Sequence, residues 1–192
     1  MSNATLEPLR PNQPPSNPSP EPGTPENWRT FFSFSTDHKV IGIQYIVTAF
    51  IFFLFGGLLA MVMRGELITP ESDLVNRTVY NGLFTMLFMW TFPMLNGLAN
   101  YLVPLQIGAR DMAFPRLNAA AFWMVPVFGV ILITSFFVPG GPSQSGWWAY
   151  PPVSLQNPTG NLINGQSLWL LAVALSGVSS IMGVVNIVTT IF

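Results

Sequence analysis

Residues 117–192 form a run of 76 positions without a single Asp, Glu, Lys or Arg. A water-soluble domain keeps charged side chains on its surface, so a stretch of this length is predicted to lie largely in lipid. Composition extends the inference to the rest of the chain: 50% of residues are hydrophobic, 14% aromatic and only 8% charged, against about 25% charged in soluble domains. Backbone groups in hydrocarbon must be paired within the spanning segment, and the sequence lacks the alternation of barrel strands. The expected class is therefore an all-α integral membrane protein. A net charge of −1 gives none of the basic footprint that nucleic acid requires. With no cysteine, disulfides, thiolate metal sites and c-type haem attachment are excluded.

Four transmembrane helices are predicted, each judged against the roughly 20 apolar residues needed to cross the hydrocarbon core. The first is Val40–Met63, interrupted mainly by Gln44; the second lies within the uncharged run Thr78–Ala109. The third runs near Ala119–Val138 and ends at the turn signal PGGP, and the fourth covers about Ser167–Phe192. The first 27 residues hold eight prolines among Asn, Ser, Glu and Thr. Residues 1–29 are accordingly expected to be a disordered Pro-rich tail, either a plain solvated extension or a docking segment. Residues 30–192 form the membrane part. Arg10, Arg29, Lys39, Arg110 and Arg116 fall on one side of the predicted spans, and only Arg64 and Arg77 on the other. The positive-inside tendency then puts the N-terminus, Asp111 and the last residues on the cytoplasmic side. Trp147, Trp148 and Tyr150 fall in the long outer loop, where amphipathic rings suit the headgroup level.

Five motifs stand in a fixed order: STDHK at 35–39 followed by IGIQY, MRGEL at 63–67, GLANYLVPLQIGARDMAFPRLN at 97–118, GWWAYPP at 146–152 and SGVSSIMGVVN at 176–186. Together they resemble the N-terminal portion of subunit I of the haem–copper cytochrome c oxidases, of bacterial type, over about Thr30 to the last residue. The resemblance implies four transmembrane helices that belong to a larger helix bundle. It implies a respiratory-chain oxidoreductase that moves electrons from cytochrome c to oxygen and pumps protons, with a-type haem and copper as cofactors. Implied partners are the lipid bilayer, oxidase subunits II and III, and cytochrome c. The implied location is an energy-transducing membrane, either a bacterial plasma membrane or an internal photosynthetic or respiratory one.

By the same resemblance, Asp111 corresponds to the mouth of the proton-uptake channel, with Tyr45, Asn100, Asn118, Ser179, Ser180 and Asn186 along its water file. A carboxylate beside small polar side chains is suited to passing protons to hydrogen-bonded waters. Taken without the resemblance, those side chains equally suit stitching helices together. Arg64 corresponds to an arginine that hydrogen-bonds a haem formyl group, or is an end-of-span arginine that snorkels to the interface. Trp147 corresponds to a tryptophan near a haem propionate. His38 precedes the first span and is expected to pair or cap locally, not to bind haem, because iron takes its axial donor at depth.

The chain departs from the family's pattern in the second span. The family carries an axial histidine there in a T-x-H-G or T-x-H-A context, whereas this sequence passes from Thr85-Met86 straight into Leu87-Phe88-Met89. Counting back from Pro93 puts Gly82 at the ligand position. A loss of about five residues would shorten the helix by roughly 7.5 Å and turn its start by roughly 140°. Met86 could offer a thioether, but methionine normally partners a histidine. The chain also ends at IVTTIF, where the family continues with further helices and the remaining haem and copper ligands. The expectation is a chain without catalytic residues or a metal site of its own, inactive alone. Alternatives are an inactive remnant, an assembly or scaffold protein associating with oxidase subunits, and an ion conduit built on Asp111.

Overall fold

The computed structural model describes residues 31–68, 77–143, 145, 149–155 and 160–192; of residues 63, 66, 67 and 77–88 only the backbone is described. The Pro-rich tail, Trp147 and Trp148 lie outside the described residues, as do the side chains at Gly82, Thr85 and Met86. Four long helices carry the fold: α1 (His38–Ile68), α2 (Arg77–Ile107), α3 (Pro115–Thr134) and α4 (Gly165–Ile191). Among the described residues there is no β-strand, only an isolated bridge between Pro142 and Gly165. Three helical stretches, His38–Val62, Pro115–Thr134 and Gly165–Ile191, are long and apolar enough to cross a membrane.

Local chemistry sets the helix ends and moves two of the expected boundaries. Asp37 accepts the Lys39 amide at 2.8 Å through Oδ1 and the Ile41 amide at 3.0 Å through its carbonyl, so α1 begins at His38, ahead of Val40. The third span was expected near Ala119–Val138, but its helix starts at Pro115 and is complete by Thr134. Pro115 opens it because a missing N–H costs nothing in the first helical turn. Asn164 caps α4 by accepting the Ser167 amide at 2.8 Å. Gly108, at φ +71°, closes α2 as the Ala109 amide reaches back to the Pro104 carbonyl at 2.9 Å. Pro93 and Pro104 sit inside α2 without ending it, as neighbouring helices allow in membrane proteins.

The helices pair as α1 with α2 and α3 with α4, with lighter contacts of α1 on α3 and of α2 on α4. Small residues permit the first pairing. A Cβ on Gly97 would stand 2.9 Å from both Ile46 Cγ1 and Tyr45 Cβ, and one on Gly42 would meet the Gly97 carbonyl at 3.1 Å. Such close backbone approach is how helices associate where lipid removes the hydrophobic drive between them. Between the pairs, Ile41, Tyr45, Phe52, Phe122, Val125, Phe128, Leu132 and Trp169 form the buried core. The outward faces are apolar too, with Leu54, Leu58 and Met61 of α1 and Ile181, Val184 and Val188 of α4 exposed.

Candidate functional site

The site is built where four helix ends meet. The turn 108–114 between α2 and α3 carries Asp111, whose Oδ1 lies 3.2 Å from His38 Nδ1 at the start of α1. The same oxygen accepts the Met112 amide at 2.8 Å. From the last turn of α4, Asn186 Oδ1 accepts the Phe114 amide at 2.8 Å and Thr190 Oγ1 accepts the Ala113 amide at 3.0 Å. The Thr190 hydroxyl in turn donates to the Asn186 carbonyl at 2.6 Å. One carboxylate thus sits on a short turn held from α1 on one side and from α4 on the other.

His38 departs from expectation. It was expected to pair locally, and Asp37 Oδ1 is indeed 3.8 Å from its Nδ1, but the shorter contact is to Asp111, 73 residues away. The imidazole is also buried, only 3% exposed, and its Nε2 has no hydrogen-bond partner. Nδ1 is thus engaged by the Asp111 carboxylate, while Nε2 faces the protein interior with no partner. Spacing could not reveal this, because the 73-residue separation is closed by the α1–α2 pairing.

Inward from this mouth lie the other polar residues singled out in the sequence. Tyr45, Asn100, Asn118 and Asn186 are completely buried, and Ser179 nearly so. Asn100 donates to the Asn96 carbonyl at 2.8 Å, yet its Oδ1 is unpaired; both amide atoms of Asn118 and the Nδ2 of Asn186 are unpaired as well. The Tyr45 hydroxyl lies beside Ser179 but makes no hydrogen bond of good geometry, while its ring packs edge-on against Phe122 at 5.1 Å. Ser179 instead donates to the Ala121 carbonyl at 2.7 Å and joins α4 to α3. Ser179 and Ser180 line a cavity of about 20 Å³ together with Asn96 and Ser176. That is room for one water, with polar groups enough to hold it.

Asn96 and Ser176 were missed in the sequence, although Asn96 stands one helical turn before Asn100 and so on the same face. Thr190 was missed too, since a threonine near a helix end carries no distinctive signal. Arg64 is exposed near the far end of α1, away from this cluster, and Trp147 lies outside the described residues.

A bundle of long apolar helices with a carboxylate–imidazole pair at one end and unpaired polar atoms in its interior defines the class: a polytopic membrane protein with a polar interior. The sequence profile described as "Cytochrome C and Quinol oxidase polypeptide I" matches residues 40–192. Among curated relatives, cytochrome c oxidase subunit 1 of Thermostichus vulcanus is 52% identical over 171 residues, covering 86% of this chain and 30% of the relative. The subunit 1 of a Synechocystis species is 52% identical over 169 residues, 85% of this chain and 30% of the relative. That of Corynebacterium glutamicum is 43% identical over 162 residues, 82% and 27% respectively. The chain belongs to the subunit I family of the cytochrome c and quinol oxidases, integral proteins of the respiratory membrane. It spans about 30% of the length of the first of these relatives.

The family implies haem and copper, so the donors present can be tested against them. The chain's single histidine has its Nδ1 on Asp111 at the first residue of α1, whereas haem iron takes an axial donor at depth within the bundle. Copper prefers nitrogen and sulfur donors, yet no cysteine is present, and the described residues hold no group of three or more His, Cys, Asp or Glu side chains placed to bind an ion. The residues present do not fit either metal centre.

Proposed function

We propose that this chain is the N-terminal, proton-uptake part of an oxidase catalytic subunit. In that role it crosses the membrane four times, with the N-terminus, the Asp111 turn and the end of α4 on the cytoplasmic side. The observation that carries the reading is the coincidence of the Asp111–His38 pair with unpaired atoms on Asn100, Asn118, Asn186 and Tyr45 behind it. Waters are the natural partners of such atoms, and a file of them from Asp111 past the asparagines toward Tyr45 and Ser179–Ser180 would conduct protons. His38 takes part as the second proton-binding group at the mouth.

The fourth span rests on α2, whose 31 residues make a helix of roughly 46 Å, longer than the roughly 30 Å hydrocarbon core. Contacts of Asp111 with the start of α1 and of its turn with the end of α4 gather four helix ends on one side, as four crossings require. The basic residues Lys39, Arg110 and Arg116 favour the cytoplasm for that side. Electron transfer from cytochrome c to oxygen, coupled to proton pumping in a plasma or internal energy-transducing membrane alongside subunits II and III, is the activity of the whole assembly. This chain by itself binds neither haem nor copper and is catalytically inactive. Arg64 and Trp147 keep family positions for contacts to haem without a haem of their own. The exposed apolar faces of α1 and α4 also favour a role in assembly with other oxidase helices.

Two measurements test the proposal. Reduced-minus-oxidised spectra of the purified chain are expected to lack haem absorbance, and a bound a-type haem would overturn that part. A full-length Synechocystis subunit 1 carrying residues 97–192 of this chain is expected to retain proton pumping. Loss of pumping in an assembled, haem-replete chimaera would overturn the channel reading.

A further inference from the structure

Gln44 is the main polar interruption of the first span, and the proton path does not use it. Its amide nitrogen donates to the carbonyls of both Phe31 and Ser33 at 2.9 Å. Both hydrogens are thereby used and the amide's orientation is fixed, because the reverse flip would set oxygen against two carbonyls. Gln44 stands well inside α1, beyond its first residue His38 by roughly 9 Å along the helix axis.

The segment ahead of α1 therefore runs the wrong way for a chain leaving a membrane. Ser35, Thr36 and Asp37 make a polar turn level with the first residue of α1: Ser35 Oγ accepts the Asp37 amide at 3.2 Å, and Asp37 Oδ1 accepts the Lys39 amide at 2.8 Å. Residues 31–33 lie further from the helix in sequence, yet they reach back past that turn to the level of Gln44. Irregular backbone at such a depth needs partners that lipid cannot supply, and Gln44 provides them from within the span.

The returning segment reads FFSF. Phe31 and Phe32 line the apolar cleft between α1 and α3 together with Val47, Ile51 and Trp123, and Phe34 stacks on Trp123 at 6.3 Å. Phe32 and Phe34 are nonetheless 72% and 67% exposed, beside Val47, Ile51 and Trp123, which are exposed as well. The latter three belong to helices apolar enough to cross a membrane, so the open apolar surface of the segment continues that of the spans.

We propose that residues 31–34 are a re-entrant membrane anchor. The segment dips into the bilayer with the Phe32 and Phe34 rings in hydrocarbon and its carbonyls held by Gln44, while the turn 35–37 stays at the aqueous surface. The partner of this surface is the lipid bilayer.

The chain has no cysteine, so single nitroxide labels on Phe32→Cys and Thr36→Cys test the proposal in the full chain reconstituted in phosphatidylcholine vesicles. At residue 32, collision with dissolved oxygen, which concentrates in hydrocarbon, is expected to exceed collision with a water-soluble nickel chelate; at residue 36 the order is expected to reverse. Nickel collisions as frequent at residue 32 as at residue 36 would leave the rings in water, open to a soluble partner, and would overturn the proposal. This comparison keeps Gln44 intact and does not depend on how any Gln44 variant folds. Adding Gln44→Leu to Phe32→Cys is expected to bring the label to the accessibility of residue 36 at unchanged helicity. A hydrocarbon signature that survives Gln44→Leu overturns the assignment of Gln44 as the tether.

Discussion

The turn 108–114 and the bundle interior behind it are both polar, but they treat their polar groups in opposite ways. In the turn, the Met112, Ala113 and Phe114 amides each have a side-chain acceptor, from Asp111, Thr190 and Asn186. In the interior, Asn100, Asn118 and Tyr45 are fully buried and hold four unpaired atoms between them. An unsatisfied buried polar group costs about 1–3 kcal/mol, so a bundle that kept all of these dry would lose a large part of an ordinary folding stability. The mouth is therefore fixed by protein–protein bonds, while the interior leaves bonding capacity unused by protein, which on the proposed function is taken up by water. Rigid positioning at the carboxylate and free capacity behind it are what a proton path needs.

The largest effect should come from removing the proposed proton carrier and leaving its setting intact. Asp111→Asn keeps a side-chain oxygen for the Met112 amide but cannot bind and release a proton. In the full-length chimaera, oxidase turnover coupled to pumping is expected to fall at least about tenfold, the lower reach of what a positioned proton-transfer group contributes. Proton uptake measured with a pH dye during turnover checks it. Unchanged uptake would make the turn a structural clamp only.

Next in size is a change that moves the interior without touching a polar atom. A methyl added by Gly97→Ala would stand 2.9 Å from Tyr45 Cβ and Ile46 Cγ1 and 3.0 Å from the Gly42 carbonyl. Overpacking of this kind costs about 1–3 kcal/mol. It is expected to lower the thermal midpoint of the chain in detergent and to displace Tyr45 from its edge-on contact with Phe122. Gly57→Ala on the partner helix α1 meets nothing within 4 Å and is the matched control.

At the mouth, Asn186→Ala removes the acceptor of the Phe114 amide and leaves the α4 side of the turn to Thr190. A loss of about 1 kcal/mol is expected, the net value of one hydrogen bond, measured by denaturant titration in micelles. The chain has one histidine, so the His38 imidazole NMR signal reports directly whether the Asp111 contact loosens as the turn does.

How much of this could be read from the sequence follows from range. Helices and their class were legible because apolar length is a local property; the boundaries moved where Asp37 and Pro115 imposed local capping chemistry. Asn100, Asn118, Asn186, Ser179 and Ser180 could be singled out because polar residues within apolar runs stand out. The Asp111–His38 pair could not be, because it depends on how two helices and a turn close a 73-residue separation. Neither could the partners of Gln44, whose amide nitrogen ties α1 to the carbonyls of Phe31 and Ser33 ahead of it.

The smallest expected effect on stability is also the sharpest test of the contrast between mouth and interior. Asn118 is completely buried at the start of α3, and neither atom of its amide has a protein partner. Replacing it by leucine, of similar size, removes no protein–protein hydrogen bond. If water satisfies the amide, the exchange of its bonds for an apolar contact is nearly balanced, and the stability change is expected to stay below about 1 kcal/mol. Proton uptake in the chimaera is nonetheless expected to fall, because a leucine breaks the water file between Asp111 and the serines of α4. Asn186→Ala should do the reverse in proportion, with more stability lost for less change in uptake. A stability loss at Asn118→Leu as large as that at Asn186→Ala would mean that the interior asparagine is a structural tie like those of the turn, and the division between a fixed mouth and an open interior would not hold.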